Sequence, residues 1–85
     1  MTDFYVLDAN AVAGLLHEVF GREMTVVVSQ CVHCGNQAAV GTLRAYVGLG
    51  VVLRCSVCAQ VVIRIAAAAD GSQRVDTSGA TDLGG

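Results

Sequence analysis

The chain has 85 residues, seven acids against five arginines, a formal net charge of −2 and no proline. A chain this short buries only about 60–65% of the surface its unfolded form exposes, so it has room for one domain, and an apolar core alone would hold that domain marginally. Hydrophobic residues make up 54% and charged residues 14%, which excludes disorder over the bulk of the chain, while the acidic balance argues against an undirected grip on nucleic-acid phosphates.

Met1 to Val6 carries an acid at Asp3 and no basic segment ahead of an apolar run, so no secretory signal is expected. Residues 8–21 are predicted to form a helix, with Val12, Leu15, Leu16, Val19 and Phe20 falling on the i, i+3, i+4, i+7, i+8 stripe of one buried face. Asp8 or Asn10 can cap its start, and Gly21 can take the left-handed conformation that closes it. Gly14, unfavourable inside a helix by about 1 kcal/mol relative to Ala, is expected to mark a close approach to another backbone.

From Met24 the period changes. Thr25 to Val28 reads as a strand running into Cys31, and Ala38 to Val47 as a second, with Leu43, Ala45 and Val47 alternating against Arg44 and Tyr46. Gly48 to Gly50 turns the chain into Val51–Arg54, Val61–Ala66 forms another strand, and a short one is expected at Arg74–Asp76. The stretch from Val51 to Ala69 is apolar but broken by Arg54, Gln60, Arg64 and two cysteines, which is unlike a bilayer span. Thr77 to Gly85 is rich in Gly, Ser, Thr and Asp, so one domain is expected over residues 1–76 with a flexible tail over 77–85.

The cysteines carry the strongest signal. Cys31 and Cys34 are two residues apart, as are Cys55 and Cys58, with twenty residues between the pairs. A two-residue spacer lets both thiolates of a tight turn point at one ion while backbone amides donate to the sulfurs, and two such turns complete a tetrahedron. Gly35 suits the exit from the first turn, and Ala59 stands in the matching place of the second. Structural zinc on Cys31, Cys34, Cys55 and Cys58 is the expected cofactor; the alternatives are a rubredoxin-like iron site on the same sulfurs and a redox dithiol. A cytoplasmic location follows, because in a reducing compartment paired cysteines serve more often as ligands than as disulfides. The expected fold is a small metal-stabilised α+β domain, an N-terminal helix (about 8–21) followed by a zinc-ribbon antiparallel sheet (about 24–68).

The segments LDANAVAGLLHEVF at residues 7–20, CVHCG at 31–35, GLGVVLRCSVC at 48–58 and VVIRI at 61–65 resemble a family of small, uncharacterised actinobacterial zinc-ribbon proteins that open with a short helix. The resemblance implies four cysteine ligands and no established activity.

The remaining polar residues have plain readings. His33 lies inside a turn whose four-sulfur set is already complete, and His17 falls off the apolar stripe. Asp8, Glu18 and Glu23 have no nucleophile or base near them in any motif, and no triad or phosphate loop is visible. A closed four-ligand site also lacks the open position that catalytic zinc requires, so no enzyme is expected. Arg44, Arg54 and Arg64 recur on three strands, and polar alternation on the solvent side of a sheet is their plainer reading; if they converge with Tyr46 they form a basic, aromatic face for an acidic protein surface or a few phosphates. Gly84 and Gly85 end the chain like ubiquitin-like sulfur carriers, which have no such cysteine quartet. The expected function is therefore a non-catalytic module acting by protein contact, either with a larger partner or by self-association through exposed Phe4, Tyr5 or Leu49. The alternatives are a nucleic-acid-binding ribbon, disfavoured by net charge, and an iron electron carrier serving an oxidoreductase.

Overall fold

The computed structural model describes residues 5–48 and 50–81. Strand β1 (Tyr5–Asp8) leads through a 3-10 turn (Ala9–Val12) into the helix α1 (Ala13–Phe20). Strands β2 (Val28–Cys31) and β3 (Gln37–Ala39) follow, then a second 3-10 turn (Val40–Thr42), β4 (Arg44–Val47), β5 (Val51–Arg54), β6 (Val61–Ala67), β7 (Gln73–Asp76) and β8 (Ala80–Thr81). They form two antiparallel sheets, one of five strands in the order β1-β4-β5-β6-β7 and one of three in the order β3-β2-β8. The protein is a small α+β fold with one N-terminal α-helix among the described residues.

Alternation in the larger sheet sets its two faces. Leu7, Ala45, Leu53 and Ile63 lie opposite one another across β1, β4, β5 and β6, as do Val47, Val51, Ile65 and Val75 across β4 to β7. Ala45, Val51, Leu53, Ile63 and Ile65 are buried and join Leu16, Met24, Val40, Leu43 and Val62 in one core. The helix stripe behaves as its periodicity predicts, with Leu16 fully buried and Val12, Leu15, Val19 and Phe20 packed against that core. Burying one such leucine contributes roughly 1.5–3 kcal/mol. Gly21 closes the helix at φ 73 with its amide on the His17 carbonyl.

The helix is shorter than residues 8–21. Asp8 ends β1 instead, where pairing with β4 satisfies backbone groups that a helix start leaves open, and Ala9–Val12 wind as a 3-10 turn before α1 begins. Asp8 stays extended and makes no side-chain cap. Nothing approaches Gly14; the close contact falls at Gly41, where the Asn10 side-chain oxygen and the Thr25 carbonyl leave no room for a Cβ. The strand expected from Thr25 begins at Val28, since the Glu23 carboxylate accepts the Thr25 amide and holds a turn there. The strand expected over Ala38–Val47 is cut by the 3-10 turn, whose Val40 and Gly41 amides donate to the Val27 and Thr25 carbonyls as the chain passes from the smaller sheet to the larger.

Beyond Asp76 the chain does not simply trail away. The Asp76 carboxylate accepts the Ser78 amide, and Ala80 and Thr81 then pair with Cys31 and Gln30 of β2. Gly79 makes this return possible, because a Cβ there would strike the Val61 carbonyl. Residues 82–85, including Gly84 and Gly85, lie outside the described residues, as do Phe4 and Leu49, and the side chain of Tyr5 is not described.

Candidate metal centre

The first cysteine pair closes β2 and turns toward β3 in the smaller sheet; the second follows β5 and turns toward β6 in the larger one. The two turns are built alike. The Gly35 amide donates to the Cys31 carbonyl at 2.8 Å and the Cys31 amide to the Asn36 carbonyl at 2.9 Å. In the second turn the Ala59 amide donates to Cys55 at 3.0 Å and the Cys55 amide to Gln60 at 2.9 Å.

Facing each other, the turns bring all four sulfurs within 4.8 Å of one another. Sγ of Cys31 and Cys58 are 3.6 Å apart, and those of Cys34 and Cys55 3.7 Å. A tetrahedral ion with metal–sulfur bonds of about 2.3 Å needs sulfurs about 3.8 Å apart, whereas a disulfide needs about 2.05 Å. The spacing therefore fits a four-sulfur metal site rather than two cross-links. The Val57 amide donates to the Cys55 sulfur at 3.4 Å, the kind of backbone support that thiolate ligands receive.

Charge distribution in the cluster is uneven. Burial raises the Cys55 thiol pKa, but donation from the Cys58 and Val57 amides and from the Cys34 and Cys58 thiols outweighs it and brings it down to about 7. At Cys34 the Asn36 amide pulls the pKa down, yet desolvation and the neighbouring thiols of Cys58, Cys55 and Cys31 prevail and push it up to about 12. One sulfur thus gives up its proton readily while its neighbour keeps one, as expected when like charges crowd together. A divalent cation at the centre removes that conflict by favouring four thiolates at once.

The outer face of the larger sheet carries the other sequence candidates. Asp8, Arg44 and Arg54 stand in one cross-strand row, and Val6, Tyr46, Val52, Arg64 and Asp76 in the next. Between Leu53 and Arg54 the register slips, so that Leu53 faces Ile63 while Arg54 faces Val61. Val62, the extra residue of this bulge, turns into the core. Tyr46, Arg54 and Arg64 come together along a groove of about 560 Å³, whereas Arg44 lies beside it. The Arg54 guanidinium sits 5.3 Å from the centre of the Tyr46 ring and donates to the Ala59 carbonyl at 2.9 Å.

Three contributors escaped the sequence reading. Arg74 joins the arginine face opposite Ala66, and the ten-residue spacing of Arg44, Arg54, Arg64 and Arg74 was its available signal. Ala59 supplies the carbonyl that holds Arg54, and Gly79 carries the return strand past the bulge; no local pattern announces either. His33 and His17 are exposed. Among the described residues no helix is long and apolar enough to cross a membrane.

The fold and the cluster define a small α+β protein with four cysteines gathered where two sheets meet. The chain belongs to a family of unknown function, DUF6510, whose model matches residues 2–84. No curated protein and no solved structure matches it.

Proposed function

We propose that this chain is a non-catalytic zinc-ribbon module. Cys31, Cys34, Cys55 and Cys58 hold one structural zinc ion, and the folded domain acts by docking onto a larger protein as an accessory subunit. The sulfur geometry carries this reading: two turns with the same hydrogen bonds, from two different sheets, present four thiols at tetrahedral spacing. Such an ion contributes what a core of this size does not, on the order of 10 kcal/mol, against a whole-domain stability of about 5–15 kcal/mol. Four sulfurs close the coordination shell, which suits a structural role and leaves no position for a reacting water. Zinc is preferred to iron because the residue after the second pair is Ala59 rather than the glycine usual at rubredoxin-type sites. Free thiols at this spacing suit a reducing, cytoplasmic setting.

Protein contact is supported by apolar residues left on the surface, two of them, Val32 and Val57, within the cysteine turns. Val57 is 67% exposed and Val26 72%, with Val28 and Val32 also exposed. Metal analysis with an absorption spectrum of the purified protein tests the core of the proposal. One zinc per chain and no visible band supports it, and a thiolate-to-iron band at one iron per chain overturns it in favour of the electron carrier. Light scattering at micromolar concentration, or a partner that co-purifies, tests the docking role.

A further inference from the structure

We infer that the outer face of the five-stranded sheet, centred on Tyr46, Arg54 and Arg64, binds a phosphate monoester carried on a planar body, the chemistry of a nucleotide. The inference deepens the accessory-module reading and rests on it for the fixed position of Arg54.

Charge is the first observation. Four of the five arginines, Arg44, Arg54, Arg64 and Arg74, lie on this face and face only Asp8 and Asp76 there, in a chain whose net charge is −2. Arg44 and Arg54 are direct cross-strand partners, a like-charge arrangement that destabilises a sheet unless an anion meets it. Asp8 is across from Arg44 and Asp76 across from Arg64, whereas Arg54 and Arg74 have no acid as a cross-strand partner. A local positive field on an otherwise acidic protein favours a small, defined anion over a long polyanion, which the rest of the surface repels.

The second observation is shape. The groove of about 560 Å³ is lined by Tyr46, Val52, Ala66, Arg54 and Arg64, with Gly50 at its floor. That is the size and character of small-ligand sites, mostly apolar with a few convergent polar groups. Gly50 cannot be larger, since a Cβ would sit 2.6 Å from the Ile65 carbonyl. With strands about 4.8 Å apart and about 3.4 Å per residue, the Cα atoms of Arg54 and Arg64 are about 8 Å apart, so both guanidiniums reach one phosphate. Two planar forks match a dianion better than a single carboxylate, and the apolar floor beside Tyr46 accepts a flat ring.

Pre-organisation is the third. Arg54 directly precedes Cys55, and its head group is fixed between the Tyr46 ring and the carbonyl of Ala59, the residue after Cys58. The second cysteine turn therefore sets the geometry of the anion site, and a held guanidinium loses less entropy on binding.

The test is titration of the zinc-loaded protein with adenosine monophosphate, followed by amide chemical shifts. Saturable shifts at Tyr46, Val52, Arg54 and Arg64 are expected, with adenosine alone and inorganic phosphate alone each at least about tenfold weaker. Arg54→Gln and Arg64→Gln should each weaken binding about tenfold or more, and Arg22→Gln, off this sheet, by less than about twofold. A short single-stranded oligonucleotide that binds tighter than the monophosphate overturns the inference in favour of a nucleic-acid surface; equal or weaker binding supports a free nucleotide. Zinc content and the thermal transition are measured on every variant, and Arg64→Gln, which unlike Arg54→Gln is not next to a cysteine in the chain, serves if Arg54→Gln fails to fold. Zinc-loaded protein whose face is silent to the monophosphate overturns the inference, as does a polyglutamate peptide that shifts the same residues while the monophosphate does not. Loss of zinc itself would instead overturn the module reading.

Discussion

Gly35 and Ala59 occupy the same position in two turns with the same backbone hydrogen bonds, both with left-handed backbones, at φ 77 and φ 65. Glycine adopts that conformation without strain, whereas an L-residue with a Cβ incurs roughly 1 kcal/mol. Ala59→Gly should therefore keep or raise stability, by up to about 1 kcal/mol, and Gly35→Ala should lower it by a similar amount. Thermal denaturation of the metal-loaded variants checks both; a loss of stability in Ala59→Gly would show that its methyl group packs in the groove.

On the proposed reading, removing one sulfur or adding a strong chelator should abolish the cooperative thermal transition. Cys55→Ser is the sharpest version, since Cys55 is 1% exposed and is the thiol whose pKa is drawn down to about 7. A transition that survives metal loss intact would refute the structural role.

The same site sets a pH dependence. Holding a cation depresses the thiol pKa values of the bound state below their unfolded values of about 8.5. A depressed folded pKa contributes stability that is complete above the unfolded value and lost as pH falls through the folded one. With Cys34 pushed up to about 12 in the free cluster, binding must displace protons at neutral pH. Metal affinity should therefore rise more than about tenfold per pH unit between pH 5 and 7, measured by competition with a chromophoric chelator. A slope of tenfold or less per pH unit would mean that at most one thiol proton is displaced, and a flat profile that none is.

Gly79→Ala should destabilise the protein by about 1–3 kcal/mol, the usual cost of forcing a group into packed structure, because its methyl would meet the Val61 carbonyl. Truncation after Asp76 should also weaken metal binding, since it removes the Gly79 carbonyl that accepts the Val32 amide at 3.0 Å and the partners of Gln30 and Cys31. Metal competition on the truncated chain checks this. Unchanged affinity would restore the view of residues 77–85 as a tail without structural consequence.

Arg44→Thr should raise stability by a few tenths of a kcal/mol at low salt, since it relieves the cross-strand contact with Arg54, and the gain should shrink as salt screens the pair. Equal stability of the two proteins at low salt would mean that Asp8, across from Arg44 on the other side, already balances it.

The sequence by itself determined the features that depend on near neighbours. The cysteine spacing, the left-handed exit at Gly35, the stripe from Val12 to Phe20 and the strands at Val51–Arg54 and Val61–Ala67 follow from turn chemistry and hydrophobic period. Tertiary structure alone decided which segments pair. It drew Asp8 from the expected helix into a strand paired with β4, wound Ala9–Val12 into a 3-10 turn, and split Ala38–Val47 between two sheets. Long-range backbone pairing outweighs local propensity, which is worth less than about 1 kcal/mol per residue. The same long-range order brought Thr81 back to Gln30 and set Arg54 beside Tyr46 and Ala59, so that the cysteine turn and the arginine face share one residue step along the chain.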